Sequence, residues 1–152
     1  MNIINDFFAT IYDRIFGVFK GDYFLIFECL FDSGSYVRFG TIFLFAPLVL
    51  WIIFYFFWNY PYGKIWHWLL WLLVIILVVF GLTYGIANIA ILSSNCQDLN
   101  DALGNSSTEY EQYAKTLPQK YAVINAFLSI IVGFLYSLIL KQWSKIQAHL
   151  PF

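Results

Sequence analysis

Hydrophobic positions along this chain follow two distinct patterns, and the first occupies residues 3–19. Pairs of apolar residues recur there about every four positions, with polar pairs such as Asn5-Asp6 and Asp13-Arg14 between them. That period is typical of a helix with one apolar face. Because Asp13 and Arg14 fall in mid-segment, the helix is poorly suited to cross hydrocarbon, and we expect it to lie in the membrane interface. A soluble helix packed on a partner is the alternative interpretation.

The second pattern consists of three continuously apolar stretches, at about residues 39–58, 66–92 and 119–141. A helix needs about 20 mainly apolar residues to cross a hydrocarbon core about 30 Å thick. No Asp, Glu, Lys or Arg lies in the interior of these stretches, and His67 lies at the mouth of the second. The sequence therefore predicts three transmembrane helices.

The predicted fold is an all-α integral membrane protein, with an N-terminal amphipathic interfacial helix followed by three transmembrane helices. Residues 1–37 would form the interfacial region and residues 38–152 the three-span membrane domain. Within the first region, the apolar run 23–31 is too short to span and precedes the turn sequence DSGS. We expect this run to dip into the interface and return.

A polar segment over residues 93–118 is predicted to join the last two spans. Thr108 and Glu111 have the spacing of a capping box, which predicts a short helix around residues 109–116. Pro118 fits the first turn of the third span, where its missing N–H costs nothing.

The composition agrees with a membrane protein. Of the 152 residues, 61% are hydrophobic and only 11% are charged, whereas soluble domains average about 45–50% and 25%. So few charges cannot cover a water-facing surface, and the lipid bilayer is therefore an expected partner. The net charge of −1 provides no basic field for nucleic acid, which we exclude as a partner.

Charge also bears on sidedness. With three spans, the N-terminal region and the 93–118 loop share one side, and all nine acidic residues fall on it. The other side carries Lys64, Lys141 and Lys145 and no acid, although the remaining five basic residues lie with the acids. The raw count of basic residues therefore favours the first side as the inner one. Because the basic residues of the second side lie undiluted by acids in two short segments, we nevertheless expect the C-terminus on the cytoplasmic or matrix side of a bacterial or organelle inner membrane.

Small residues recur at four-residue spacing in the second and third spans. Lipid tails are as apolar as leucine, so helices associate in a bilayer through close approach, which small residues permit. These stripes predict helix-packing positions, which join the two spans within one chain or face another subunit. The positions are Gly81, Gly85, Asn88, Ser129, Gly133 and Ser137.

Candidate chemistry is sparse. No Ser/His/Asp set, Gly-rich phosphate loop or acid–base pair is recognisable, and neither histidine has a partner at metal-ligand spacing. We therefore predict no catalytic residue, no cofactor, no metal and no small-molecule substrate. The polar group Thr83, Tyr84 and Asn88 is interpreted as an interhelical hydrogen-bonding position rather than a ligand or ion site.

Two cysteines, Cys29 and Cys96, fall on the same predicted side. They are either two separate structural thiols or, if that side is oxidising, the halves of one disulfide.

These observations favour a non-enzymatic structural or anchor subunit of a larger membrane protein complex. Other membrane subunits, further copies of the chain, or both would be its protein partners, through helix packing and loop docking. The alternative is a small membrane-active effector, pore-forming or immunity protein, in which Asn88 and the serines of the third span line an oligomeric pathway.

Overall fold

The computed structural model describes residues 3–16, 24–58, 65–92 and 108–143. Nearly all of these residues are helical, and no strand occurs among them. A π-helical turn, Ile53–Phe57, directly extends the third helix. The helices are α1 (Ile3–Phe16), α2 (Phe24–Asp32), α3 (Ser35–Ile52), α4 (Ile65–Leu92) and α5 (Thr108–Trp143). The predicted loop residues 93–107, and Cys96 with them, lie outside the described residues.

Three helical stretches are long and apolar enough to cross a membrane: Ser35–Phe57, Ile65–Leu92 and Glu111–Trp143. This confirms the prediction of an all-helical fold with three candidate spans. At about 1.5 Å per residue, each stretch exceeds the thickness of a hydrocarbon core. Their length and composition suggest a membrane location.

The third of these helices differs from its prediction at its N-terminal end. Instead of a loop to residue 118 and a separate short helix, α5 is continuous from Thr108 and passes through Pro118. A proline inside a helix removes one backbone hydrogen bond and crowds the preceding turn. Ala114 and Leu117 of that turn are fully buried, so packing against the bundle offsets the loss.

The turn between α2 and α3 follows the DSGS signal. Gly34 has a φ of 65°, in the left-handed region where other residues are strained. The Ser33 N–H donates to the Cys29 carbonyl at 3.0 Å, and the Gly34 N–H donates to the Phe31 carbonyl at 3.0 Å. The chain thereby reverses within a few residues, and α3 begins at Ser35, four residues before its predicted start.

The core lies between α3, α4 and α5, which pack along their lengths, and α1 adds to it at one end. The Phe8 ring of α1 lies directly against Gly40 of α3, where a Cβ would overlap the ring. Other positions of α1 expose further apolar residues, Ile3, Phe7 and Ile15 among them. The placement of α1 at a membrane surface stays a prediction.

Candidate functional site

A row of small and polar residues from the middle of α5 onward is buried. Four of its residues succeed one another at intervals of four positions, which on a helix keeps them near one side. They are Asn125, Ser129, Gly133 and Ser137. Asn125, Ser129 and Ser137 are fully buried. We call these four residues the α5 stripe; it includes three of the residues predicted to mediate helix packing.

Asn125 is the centre of a hydrogen-bond network that joins four helices. Its Oδ1 accepts a hydrogen bond from the Tyr12 hydroxyl of α1. Its Nδ2 donates to the Phe39 carbonyl of α3 and to Thr83 Oγ1 of α4, both at 3.0 Å. Both amide protons are therefore used. Such full satisfaction of a buried amide fixes the relative positions of the helices that it joins.

Tyr12 enters this network through an aromatic cluster. Its ring stacks on Tyr36 at a centroid distance of 5.8 Å and meets Tyr121 edge-on at 5.4 Å. Burial raises the pKa of Tyr12, and the hydrogen bond with Asn125 opposes the rise in part. The hydroxyl thus remains protonated, as a hydrogen-bond donor must be. Burial also raises the pKa of the neighbouring Asp13 carboxyl.

Ser137 is a second junction, nearer the other end of the bundle. Its Oγ lies 2.7 Å from the Tyr55 hydroxyl of the π-helical turn and accepts the Trp68 Nε1–H of α4 at 2.8 Å. The Trp68 ring stacks on Trp51 of α3 at a centroid distance of 5.6 Å. One serine hydroxyl therefore connects α5 with both other long helices.

Gly133 and Ser129 serve different purposes on the same stripe. A Cβ at position 133 would lie 3.1 Å from Trp51 Nε1, so the glycine makes room for the indole. Ser129 Oγ donates to the Ala126 carbonyl of its own helix at 2.7 Å. Ser129 is thus a small buried residue that makes no hydrogen bond to another helix among the described residues.

Comparison with protein-family models, with curated proteins and with solved structures finds no match. The function of this chain has to be inferred from its own residues.

The predicted small residues of α4 lie in different surroundings. A Cβ built on Gly81 or Gly85 would meet no atom within 4 Å. Asn88 is partly exposed, and its side chain makes no hydrogen bond to any described residue. We call Gly81, Gly85 and Asn88 the glycine face. The structure does not bring it together with the α5 stripe.

The polar group predicted around Thr83 is also divided. Thr83 is buried and accepts from Asn125. Tyr84 is exposed, and its ring is parallel to Phe80 at 6.3 Å. Asn88 belongs to the glycine face instead. Residues that are adjacent in sequence point to different sides of a helix, so this cluster does not form a common site.

Sequence reasoning overlooked Asn125, although a signal was present. Asn125 lies four residues before Ser129 and thus continues the stripe of small residues toward the N-terminus of α5. The stripe was recognised by residue size alone. A polar residue at the same spacing marks the position where the helices exchange hydrogen bonds.

Other candidate chemistry is limited within the described residues. They contain no group of three or more His, Cys, Asp or Glu side chains that could hold a metal ion. Cys29 is buried and disulfide-bonded, while Cys96 lies outside the described part of the chain. Lys115 and Glu111 form an exposed ion pair at 2.6 Å, and such pairs contribute little to stability.

Proposed function

We propose that this chain is a non-enzymatic subunit or anchor of a larger membrane complex, and that α4 presents the glycine face to a helix of another chain. The observation that carries the proposal is a contrast between two stripes. The α5 stripe is filled by side chains of its own chain, whereas the glycine face has no atom against either glycine.

The helical geometry supports this use of α4. At 100° per residue, Gly81, Gly85 and Asn88 fall within an arc of about 60°. The buried residues Val79 and Thr83 of α4 lie on the other side of the helix. One side of α4 therefore packs within the chain, and the opposite side offers a shallow backbone surface to a neighbour.

Lipid alone gives little reason for such a surface. Glycine in a helix interior costs about 1 kcal/mol relative to alanine. Close approach of a second helix compensates for that cost, as in the small-xxx-small motifs of membrane helices. A facing helix would also supply a hydrogen-bond partner for the Asn88 amide, whose burial without one is costly.

The proposed setting is a bacterial or organelle inner membrane, with the C-terminus on the cytoplasmic or matrix side. The partner is another membrane subunit or a second copy of this chain. The basic residues on the C-terminal side, Lys64, Lys141 and Lys145, lie in two short segments without any acid, which supports this orientation. The many large apolar side chains exposed on α4 and α5 suit lipid and protein neighbours alike.

The test is the mass of the particle extracted in mild detergent. We expect the native chain in an assembly larger than a monomer, and we expect Gly81→Leu and Gly85→Leu to release the monomer. Because both glycines face open space, the released monomer should remain folded. Leu82→Phe, which adds bulk beside the glycine face, is the matched control and should leave the assembly intact. A lone native monomer, in detergent and in nanodiscs, would refute the proposal.

The alternative of a pore or membrane-active effector has less support. It requires Asn88 and the serines of α5 to line one pathway. Ser129 and Ser137 are fully buried within the chain, and Asn88 lies on the outward side of α4. Ion flux through the purified chain in liposomes would favour the alternative, and sealed liposomes would remove it.

A further inference from the structure

A surface groove of about 550 Å³ lies where the C-terminal end of α1 meets α5. Its walls are predominantly apolar, with three polar side chains among the lining residues. The lining residues are Phe16, Thr116, Gln119, Lys120, Val123 and Ile124. We propose that this groove binds one anionic phospholipid, with Lys120 at the phosphate and Val123, Ile124 and Phe16 against the first part of an acyl chain.

The groove changes from polar to apolar along α5. Thr116, Gln119 and Lys120 precede Val123 and Ile124, and the whole series covers about 12 Å of helix. A phospholipid has the same order, with a polar headgroup followed by an apolar chain. A docked helix would need an apolar strip over several turns, which this short groove does not provide.

The charge at the polar end favours an anion. Lys120 is exposed and makes no ion pair with any described residue. Its ammonium lies 4.7 Å from the centre of the Tyr113 ring, a contact that positions the charge and leaves N–H donors for a phosphate. The Thr116 hydroxyl is also exposed, one turn before Lys120 on α5.

The position of Lys120 along α5 matches the headgroup level of a bilayer. Residues 121–140 contain no charged side chain, whereas Glu111, Lys115 and Lys120 lie in the ten residues before them. If α5 spans the membrane, Lys120 is the first charge outside the hydrocarbon. A basic side chain beside a groove between membrane helices is a setting in which anionic headgroups bind. Under the proposed orientation, this headgroup belongs to the leaflet that faces away from the cytoplasm or matrix.

A smaller groove on α1 repeats the same combination. About 260 Å³ in volume, it is lined by Phe7, Thr10, Ile11 and Arg14. Arg14, like Lys120, makes no ion pair among the described residues. Each of the two grooves along α1 thus combines apolar walls with a basic side chain of its own. The pair points to anionic lipid around α1, with the larger groove as the specific site.

The experiment counts the lipids that remain on the full chain in native mass spectrometry. The chain is exposed to phosphatidylglycerol and phosphatidylcholine with identical acyl chains. We expect the native chain to retain one phosphatidylglycerol in preference to phosphatidylcholine. Lys120→Gln should reduce that preference about fivefold, the effect of one basic residue near a membrane surface. Lys141→Gln, at the other end of α5, should leave it unchanged.

A second pair of variants tests the apolar part of the site. Val123→Trp fills the groove from an exposed position and should displace both lipids, whereas Ile131→Trp, at a similarly exposed position of α5, should displace neither. Equal retention of the two lipids by the native chain would overturn the proposal. So would an equal effect of the two lysine variants, or undiminished binding by Val123→Trp. The particle mass is read in the same spectra, so failure of the lipid site is distinguishable from failure of subunit assembly.

Discussion

The Tyr12 hydroxyl donates a hydrogen bond to Asn125 Oδ1, although the two residues are 113 positions apart in the sequence. Through this bond the N-terminal helix is fixed to the last helix of the bundle. Asn125 also bonds to Phe39 and Thr83, so the same side chain positions all three long helices. An N-terminal helix held in this way is part of the folded bundle and not a detachable arm.

Tyr12→Phe removes the donor and leaves Asn125 Oδ1 buried without this partner. We expect the free energy of unfolding to fall by about 0.6–1.7 kcal/mol, which runs from the average to the maximum found for interhelical hydrogen bonds in membranes. Thermal unfolding of the purified chain in detergent measures the change. Tyr84→Phe is the matched control, because Tyr84 is exposed, and it should have no effect. Equal unfolding temperatures for Tyr12→Phe and the native chain would contradict the role assigned to Asn125.

Two serines of the α5 stripe give a sharper comparison. Ser137→Ala leaves the Tyr55 hydroxyl and the Trp68 Nε1–H without their shared partner, and we expect a loss of about 1–3 kcal/mol. Ser129→Ala removes a bond to the backbone of its own helix, and we expect a change below about 0.5 kcal/mol. Both serines are fully buried, so burial cannot explain a difference. If thermal unfolding shows equal losses of stability for the two variants, the hydrogen bonds of Ser137 to Tyr55 and Trp68 do not stabilise the bundle.

Residue spacing was sufficient to predict part of this architecture. Uninterrupted apolar length predicted the three long helices, and the interval of four residues predicted that Ser129, Gly133 and Ser137 share one side. The same interval in Gly81 and Gly85 could not reveal that this side is open, because spacing defines a face and not what covers it. Only the packing of the whole bundle determines which side of α4 points inward.

The remaining differences arise where tertiary packing overrides a local rule. Pro118 predicted the first turn of a helix, but α5 begins at Thr108 and continues through it. The burial of Ala114 and Leu117 stabilises the turns that precede the proline. The contact between Phe8 and Gly40 joins segments that no local pattern connects. Long-range contacts of this kind depend on the shapes of several helices together, which a single sequence does not reveal.

The contact between Phe8 and Gly40 predicts how α1 can be released. Gly40→Val places a side chain where the Phe8 ring lies, so α1 must move away, at a cost of about 1–3 kcal/mol for overpacking. We expect a lower unfolding temperature and faster proteolysis within residues 3–16. Val49→Phe adds bulk at an exposed position of the same helix and should leave both unchanged. If α1 packs as described, Phe8→Ala should partly rescue Gly40→Val; an additive double variant would contradict the contact.

The disulfide of Cys29 predicts which side of the membrane α2 occupies. Cys29 is disulfide-bonded, and Cys96 is the only other cysteine of the sequence, so we expect these two to pair within one chain. Chain that is denatured without reductant in excess maleimide-polyethylene glycol should then take up none of the reagent, should take up two after reduction, and should migrate as a monomer without reduction. Because disulfides persist in oxidising compartments, this result would place α2 away from the cytoplasm, on the side with the acidic residues. Cys29→Ser should expose one reactive thiol without reduction; two reactive thiols in the unreduced native chain would exclude the bond and remove this support for the orientation.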